Sequence, residues 1–312
     1  MATRDYVPVT GDDWYQRRRD DDEGRFLRRL GEQAGRTGDG TRQGIYCCTA
    51  DGEVLAFKNA GQAPDVMRDS LRHGLDAWRK LPADRRRPGA VTVPGLDRAD
   101  PHYTRTPPPG GLVVRVVTRR LDREDGKLCH CAGETGAGAE AARDHLWVTA
   151  AERAALARPG VKAGDTYPLP ATLTARILRY HLVDNTKGEP VFFQPGEVRG
   201  TLTLTVESAT DAEVRLRLEG TALMRAAARG KVGERGYDAS LLGFVTVSRG
   251  GAVERFDVVA VGDAWGDHGW GQPGARPGRT PLGVAFTLAR GDQPADRVPP
   301  QGMRDPGEYL GK

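Results

Sequence analysis

Nowhere in its 312 residues does the chain carry an apolar run near the ~18 residues that a membrane-spanning helix needs, so no such helix is expected. Cysteine is scarce: the four present form two close pairs, Cys47-Cys48 and Cys129/Cys131, which is too few for the disulfide framework of a small secreted domain. That leaves the redox compartment open. Neither sign of charge dominates. Lysine and arginine total 46 against 42 acidic residues, a net charge of +4, and the two signs are interleaved, which excludes a nucleic-acid footprint. The opening Met1-Ala2-Thr3-Arg4-Asp5 has no secretory leader pattern, which fits a cytoplasmic protein or one whose leader has been removed. Catalytic signatures are missing as well. There is no G-x-S-x-G elbow, no H-E-x-x-H, no Walker A loop and no glycine-rich loop anchored on a strand. Carboxylate clusters suited to magnesium or calcium are absent. Asp122, Glu124 and Asp125 lie in a polar run that reads as a hairpin tip.

What is present divides the chain into three parts: an α/β unit over residues 1–82, a proline-rich arm over 83–111, and an antiparallel β-domain over 112–312. In the first part, Tyr6-Val7-Pro8-Val9 is a short strand candidate. A charged helix is expected from about Asp20, with Phe26, Leu27, Leu30 and Ala34 as its apolar stripe and Gly35 as its stop. Gly44–Thr49 and Val54–Phe57 read as strands joined by the hairpin signal Asp51-Gly52. A second helix has Pro64 in its first turn and Met67, Leu71, Leu75 and Trp78 on one face. The resulting order, β-α-β-β-α, resembles the thioredoxin fold, although no Cys-x-x-Cys accompanies it, so no disulfide-exchange chemistry is implied.

Prolines 82, 88, 94, 101 and 107–109 exclude a helix across the arm, whose Tyr103 and His102 suggest packing against a neighbour. Beyond it, Leu112–Val117 is a buried strand. Two short helices follow, one opened by the capping box Thr149-Ala150-Ala151-Glu152, the other after Pro170 with Leu173, Ile177 and His181 on one face. Leu202, Leu204 and Val206 alternate with threonines, and Val214, Leu216 and Leu218 with charged residues, as in a hairpin with one wet face. Leu241–Val247, Phe256–Val261 and Val284–Leu288 supply further strands, which together predict an α+β protein whose second part is a sandwich or partly open barrel. The tail from Pro299-Pro300 onward is expected to lie on the surface. Three stretches, residues 235–238 (RGYD), 256–263 (FDVVAVGD) and 276–284 (RPGRTPLGV), are similar to segments of uncharacterised bacterial proteins with a thioredoxin-like region upstream, a resemblance that implies architecture and no activity.

Ligand-type side chains concentrate between Leu128 and Glu189, which holds half of the cysteines and half of the histidines. Cys129 and Cys131 flank His130, and His145, in loop sequence before a helix, and His181 are candidate distal ligands. Thiolate with imidazole suits copper or zinc. Asp144 beside His145, and Asp184 with Asn185 after His181, are candidates to orient the imidazoles. His181, on an apolar helix face, also reads as a hydrogen-bonded core residue, and Cys47 and Cys48 as packing residues. Asp263–Gly271, with Trp265, Trp270 and His268, reads as a glycine-rich loop flanking a pocket or capping the domain. The leading expectation is therefore a copper-binding, or failing that zinc-binding, redox protein acting on a small-molecule substrate. Tyr180, Tyr237 and His268 are its candidate catalytic residues and Tyr103 a further redox partner. Two others stand beside it: a non-catalytic module presenting Trp265 and Trp270 to a partner or glycan, and a metal-free thiol enzyme using Cys129 or Cys131. Cys129 and Cys131 are expected to act as a local pair, not joined to Cys47 or Cys48.

Overall fold

The computed structural model describes residues 2–59, 63–92, 100, 105–130, 141–186, 190–228, 233–266 and 276–311. His102, Tyr103, Cys131, His268 and Trp270 lie outside the described residues. The chain divides into two compact units, Met1–Ala99 and Asp100–Lys312, a boundary inside the proline-rich arm.

The smaller unit runs α1 (Ala2–Asp5), α2 (Asp13–Gln16), α3 (Asp22–Gln33), β1 (Ile45–Cys48), β2 (Val54–Lys58), α4 (Pro64–Lys80) and α5 (Ala83–Arg86). Its signals are local. Asp21 caps α3 by accepting the Gly24 N–H at 2.9 Å, and Gly35 ends it at φ +73°, a conformation that costs glycine nothing. The β1–β2 hairpin turns at Asp51-Gly52. Helix α4 packs on it through Gly74, where a Cβ would come within 2.7 Å of Cys47 Cβ and of the Tyr6 hydroxyl. Cys47 is buried and Cys48 half-buried; both are free thiols in a strand, as packing residues would be.

Two expectations fail here. Tyr6–Val9 is no strand. Val7 and Val9 are 89% and 85% exposed, and Tyr6 instead donates its hydroxyl to the Leu71 carbonyl of α4 at 2.7 Å. Among the described residues this unit holds one two-stranded sheet, and the thioredoxin-like order is not confirmed. The arm also begins with a helical turn, α5, because Pro82 stands before its first residue, where a missing N–H does no harm.

The larger unit is built on one antiparallel sheet. In chain order it contains β3 (Leu112–Glu124), β4 (Lys127–His130), β5 (Ala142–Val148), α6 (Ala150–Leu156), β6 (Thr166–Pro168), α7 (Ala171–Arg176), a widened π-type turn over Ile177–His181, β7 (Val198–Ala209), β8 (Glu213–Ala227), β9 (Glu234–Ser248), β10 (Val253–Trp265), β11 (Thr280–Leu288) and α8 (Pro306–Leu310). Nine strands pair in the order β4-β3-β11-β10-β9-β8-β7-β6, with β5 lying end to end with β4 along the same side of β3. Among the described residues the two edges do not meet, so the sheet is a single open one and neither a two-sheet sandwich nor a closed barrel.

The period-two pattern of the sequence sets its two faces. Leu202, Leu204, Val206, Val214, Leu216, Leu218, Leu241, Val258 and Val284 point into the core, where they meet Leu156, Leu173, Ile177 and Leu178 from the helical segment. Each such side chain contributes about 1.5–3 kcal/mol of transfer free energy. The segment reaches across because β5 and β6 stand at opposite edges of the sheet and the chain between them is short. Thr149 and Glu152 cap α6 reciprocally, as expected. The tail departs from expectation: Met303 and Tyr309 are 4% and 2% exposed, packed with Trp147 and Tyr180 in a second small core. Proline and glycine mark irregular backbone there, but irregular backbone is not the same as surface.

Candidate functional site

His145 lies in the middle of β5, not in a loop, and the segment around it carries a network of buried polar contacts. As an edge strand, β5 turns the N–H groups of His145 and Trp147 away from the sheet, where they need partners. The Asp144 carboxylate accepts the first at 2.8 Å, and the Tyr309 hydroxyl faces the second at 3.3 Å. Asp144 Oδ1 also accepts the Gln301 N–H at 3.0 Å, so the tail is held to the strand edge.

His181 completes this network. Its Nε2 sits 2.9 Å from the Tyr309 hydroxyl, and its Nδ1 sits 3.2 Å from Asp144 Oδ2, near enough for electrostatic attraction but out of line for a hydrogen bond. Burial, then the charge of Asp144, holds the Tyr309 hydroxyl well above its ordinary pKa, so it keeps its proton. A hydroxyl that accepts from Trp147 and retains a proton donates to Nε2, which for the neutral ring places the imidazole proton on Nδ1, towards Asp144. Nε2 is occupied by Tyr309 and Nδ1 faces the Asp144 carboxylate, so a metal would have to displace Tyr309 to reach Nε2. Asp144, expected to orient His145, serves His181 instead.

Beside it, Arg176 is buried within α7. Its Nε donates to the Tyr309 carbonyl at 2.8 Å, and one terminal nitrogen donates to the Trp147 carbonyl at 3.0 Å and to Glu152 at 2.7 Å. Burial opposes the charge of Glu152, but Arg176, Thr172 and the Thr149 N–H outweigh it and hold the carboxyl below its ordinary range. Asp184 behaves alike. Burial raises it, yet Arg120 at 2.7 Å and the Thr186 hydroxyl at 2.6 Å bring it below the usual value. Asp184 therefore pairs with Arg120, not with His181. His145 Nε2 lies 3.9 Å from Asp296, which is itself held by Arg115 through bonds of 2.7 and 2.8 Å. Burial pushes His145 below its ordinary pKa despite Asp144 and Asp296.

The cysteine end of the expected ligand pool is elsewhere. His130 is opposite Leu121 and His145 opposite Arg115 on β3, six residues apart, or about 20 Å along the strand. No single ion spans that, since metal–ligand bonds are about 2.0–2.3 Å. Among the described residues no three ligand-type side chains converge on one point. Cys129 is a free, half-buried thiol whose pKa is raised by desolvation and by Glu124 and Asp122. Tyr180 packs edge-on against Tyr309 and Phe192, at centroid distances of 5.1 and 4.9 Å. Tyr237 donates to the Leu282 carbonyl at 2.7 Å in the sheet core, and burial raises both phenols. The interactions of these two tyrosines are those of packing groups.

The outer face of the sheet has a different character. Along one register row, Val117 of β3, Ala285 of β11, Val259 of β10 and Leu242 of β9 stand side by side. Val259 and Leu242 are 47% and 53% exposed, and Phe244 and Val261 flank them around a shallow depression. The row ends at Arg143 of β5 on one side and Glu219 of β8 on the other. Trp265 closes the same face of β10, with the Arg279 guanidinium 4.1 Å above its ring. Sequence reading passed over the row because its members come from four strands, far apart in the chain. It also passed over Tyr309 and Arg176, a tail tyrosine and a helical arginine that no local pattern distinguishes. Scanned against protein-family models, curated proteins and solved structures, the chain matches none.

Proposed function

We propose that this chain is a non-catalytic binding protein whose larger unit engages a macromolecular partner through the outer face of its sheet, from the Val117–Leu242 row to Trp265. One observation carries the reading: an apolar row continuous over four strands faces water. Apolar residues scattered singly over a surface need no explanation, but a contiguous patch rimmed by polar groups is the common form of an interaction site. Of the nominated side chains, by contrast, His181 and Tyr237 are buried and hydrogen-bonded within the protein, and His145 and Tyr180 are buried. Glycan and peptide arrays probed with the wild type, Leu242→Lys and Trp265→Ala test it. Binding that is lost in correctly folded variants is the expected result. An array on which the wild type binds nothing, or binds undiminished by either change, sinks the reading.

A second reading keeps a soft metal, copper before zinc, at the end of the β3–β4 hairpin. The accessible thiol of Cys129 beside exposed His130 favours it, with Cys131 two residues on as the second thiolate. Bound copper would supply redox chemistry, and bound zinc a structural clamp. Elemental analysis of untagged protein after supplementation with both metals is the test, and a metal-free product ends this reading.

A further inference from the structure

We propose that the partner of the outer face is a second copy of this chain, stacked sheet on sheet about a two-fold axis parallel to the strands. The proposal rests on the binding reading above and names its occupant.

Edge-to-edge pairing is obstructed along β6 and β5. At one margin β6 has three residues, the last of them Pro168, which has no N–H to offer a partner strand. At the other, the outward N–H groups of β5 are taken by Asp144 and Tyr309. The face is the broader surface that the sheet offers to a partner.

The charges on that face select the partner. Arg255 pairs with Asp257 at 2.6 Å, Arg279 with Asp238 at 3.4 Å, Arg123 with Asp263 at 3.0 Å, and Arg217 with Glu219. A face whose charges are in large part paired with one another gives less purchase to a polyanion or a charged lipid surface than to a surface of the same make-up. The row adds direction, because it begins at Arg143 and ends at Glu219, whose carboxylate would then be shared between its own Arg217 and the other copy's Arg143. A two-fold axis along the strands reverses the row, so each Arg143 meets the other copy's Glu219 and the four apolar residues meet their counterparts. An axis along the row would set Arg143 against Arg143. The first arrangement also brings the strands of the two sheets nearly parallel, the usual geometry of aligned face packing. The six strands that the row crosses span about 24 Å at about 4.8 Å apart, and about 34 Å along them, most of the 13 residues of β10, gives a footprint of roughly 800 Å² per copy, the area of a standard stable interface.

Sedimentation equilibrium across the micromolar range tests the proposal, with circular dichroism confirming that each variant is folded. The wild type should shift with concentration from the monomer mass towards twice that mass. Val259→Lys, which puts a charge at the centre of the contact, should remain monomeric. Arg143→Glu should raise the dimer dissociation constant by roughly tenfold or more, and Arg143→Glu with Glu219→Arg should restore it. A wild type that is monomeric throughout overturns the proposal, as does a dimer indifferent to Val259→Lys, or a charge-swapped pair no tighter than Arg143→Glu alone. A monomer that still binds an array ligand through Leu242 loses the self-association and keeps the binding reading; a monomer that binds nothing loses both.

Discussion

His181 Nε2 lies 2.9 Å from the hydroxyl of Tyr309, 128 residues further along the chain, and this contact ties the widened helical turn to the C-terminal tail. Asp144 and Trp147 on β5 share it, so an edge strand, a helix and the tail are joined around one phenol.

Tyr309→Phe keeps the ring and removes only the hydroxyl. It leaves His181 Nε2 and the Trp147 N–H buried without this partner, and should destabilise the larger unit by about 1–3 kcal/mol. Tyr309→Ala adds a cavity and should cost about 3–5 kcal/mol. Urea denaturation followed by circular dichroism measures both. Equal losses would mean that the hydroxyl contributes nothing.

Asp184→Asn should be among the most damaging single changes, because it removes the carboxylate that holds the buried Arg120 guanidinium at 2.7 Å. The expected loss is about 3–5 kcal/mol. Replacing both residues by leucine should recover part of it, since a buried pair is stabilising mainly relative to its own broken half. A double variant less stable than Asp184→Asn contradicts this account.

The pH dependence of stability should begin with His145. Burial holds its folded pKa below the unfolded value of 6.5. A group depressed in this way supports the folded state fully above its unfolded pKa and withdraws that support as pH falls towards the folded value. Wild-type stability should therefore decline just below about pH 6.5, before the carboxylates Asp184 and Glu152 lose their contributions under their ordinary range near about pH 4. His145→Phe should remove the first decline and leave the second. Urea midpoints measured against pH distinguish the two, and curves of identical shape would show that His145 is not the titrating group.

Cys129 is expected to be a sluggish nucleophile, since desolvation, Glu124 and Asp122 all act against its thiolate. Iodoacetamide labelling read by mass spectrometry should rise only at pH above the ordinary thiol value of about 8.5, and Glu124→Gln should move the rise to lower pH. Fast labelling at neutral pH would instead support the thiol-enzyme alternative.

Much of the fold was legible locally. The capping box Thr149–Glu152, the hairpin turn at Asp51-Gly52, the Gly35 stop and the alternation of Leu202, Leu204 and Val206 each describe a few neighbouring residues, and each element forms where the pattern places it. The Tyr6–Val9 strand failed because β-type residues make a strand only when a partner strand completes the ladder, and here Tyr6 is drawn to the Leu71 carbonyl instead.

The assignment of the site was decided by distant contacts. His145 read as a loop residue because Ala-Arg-Asp-His-Leu-Trp-Val shows no clean alternation. The residues that meet this strand, Asp296 at the His145 ring, Gln301 at Asp144 and Tyr309 at the Trp147 N–H, arrive from a tail more than a hundred positions away. Likewise the cysteines and histidines gathered between Leu128 and Glu189 are neighbours in the chain only. The pairing of both β4 and β5 to β3 lays them end to end and draws the cluster out along one strand. Composition and spacing determined which side chains were available. Which of them meet was left to strand register, because hydrogen bonds and ion pairs act over a few ångströms of space and are indifferent to distance along the chain.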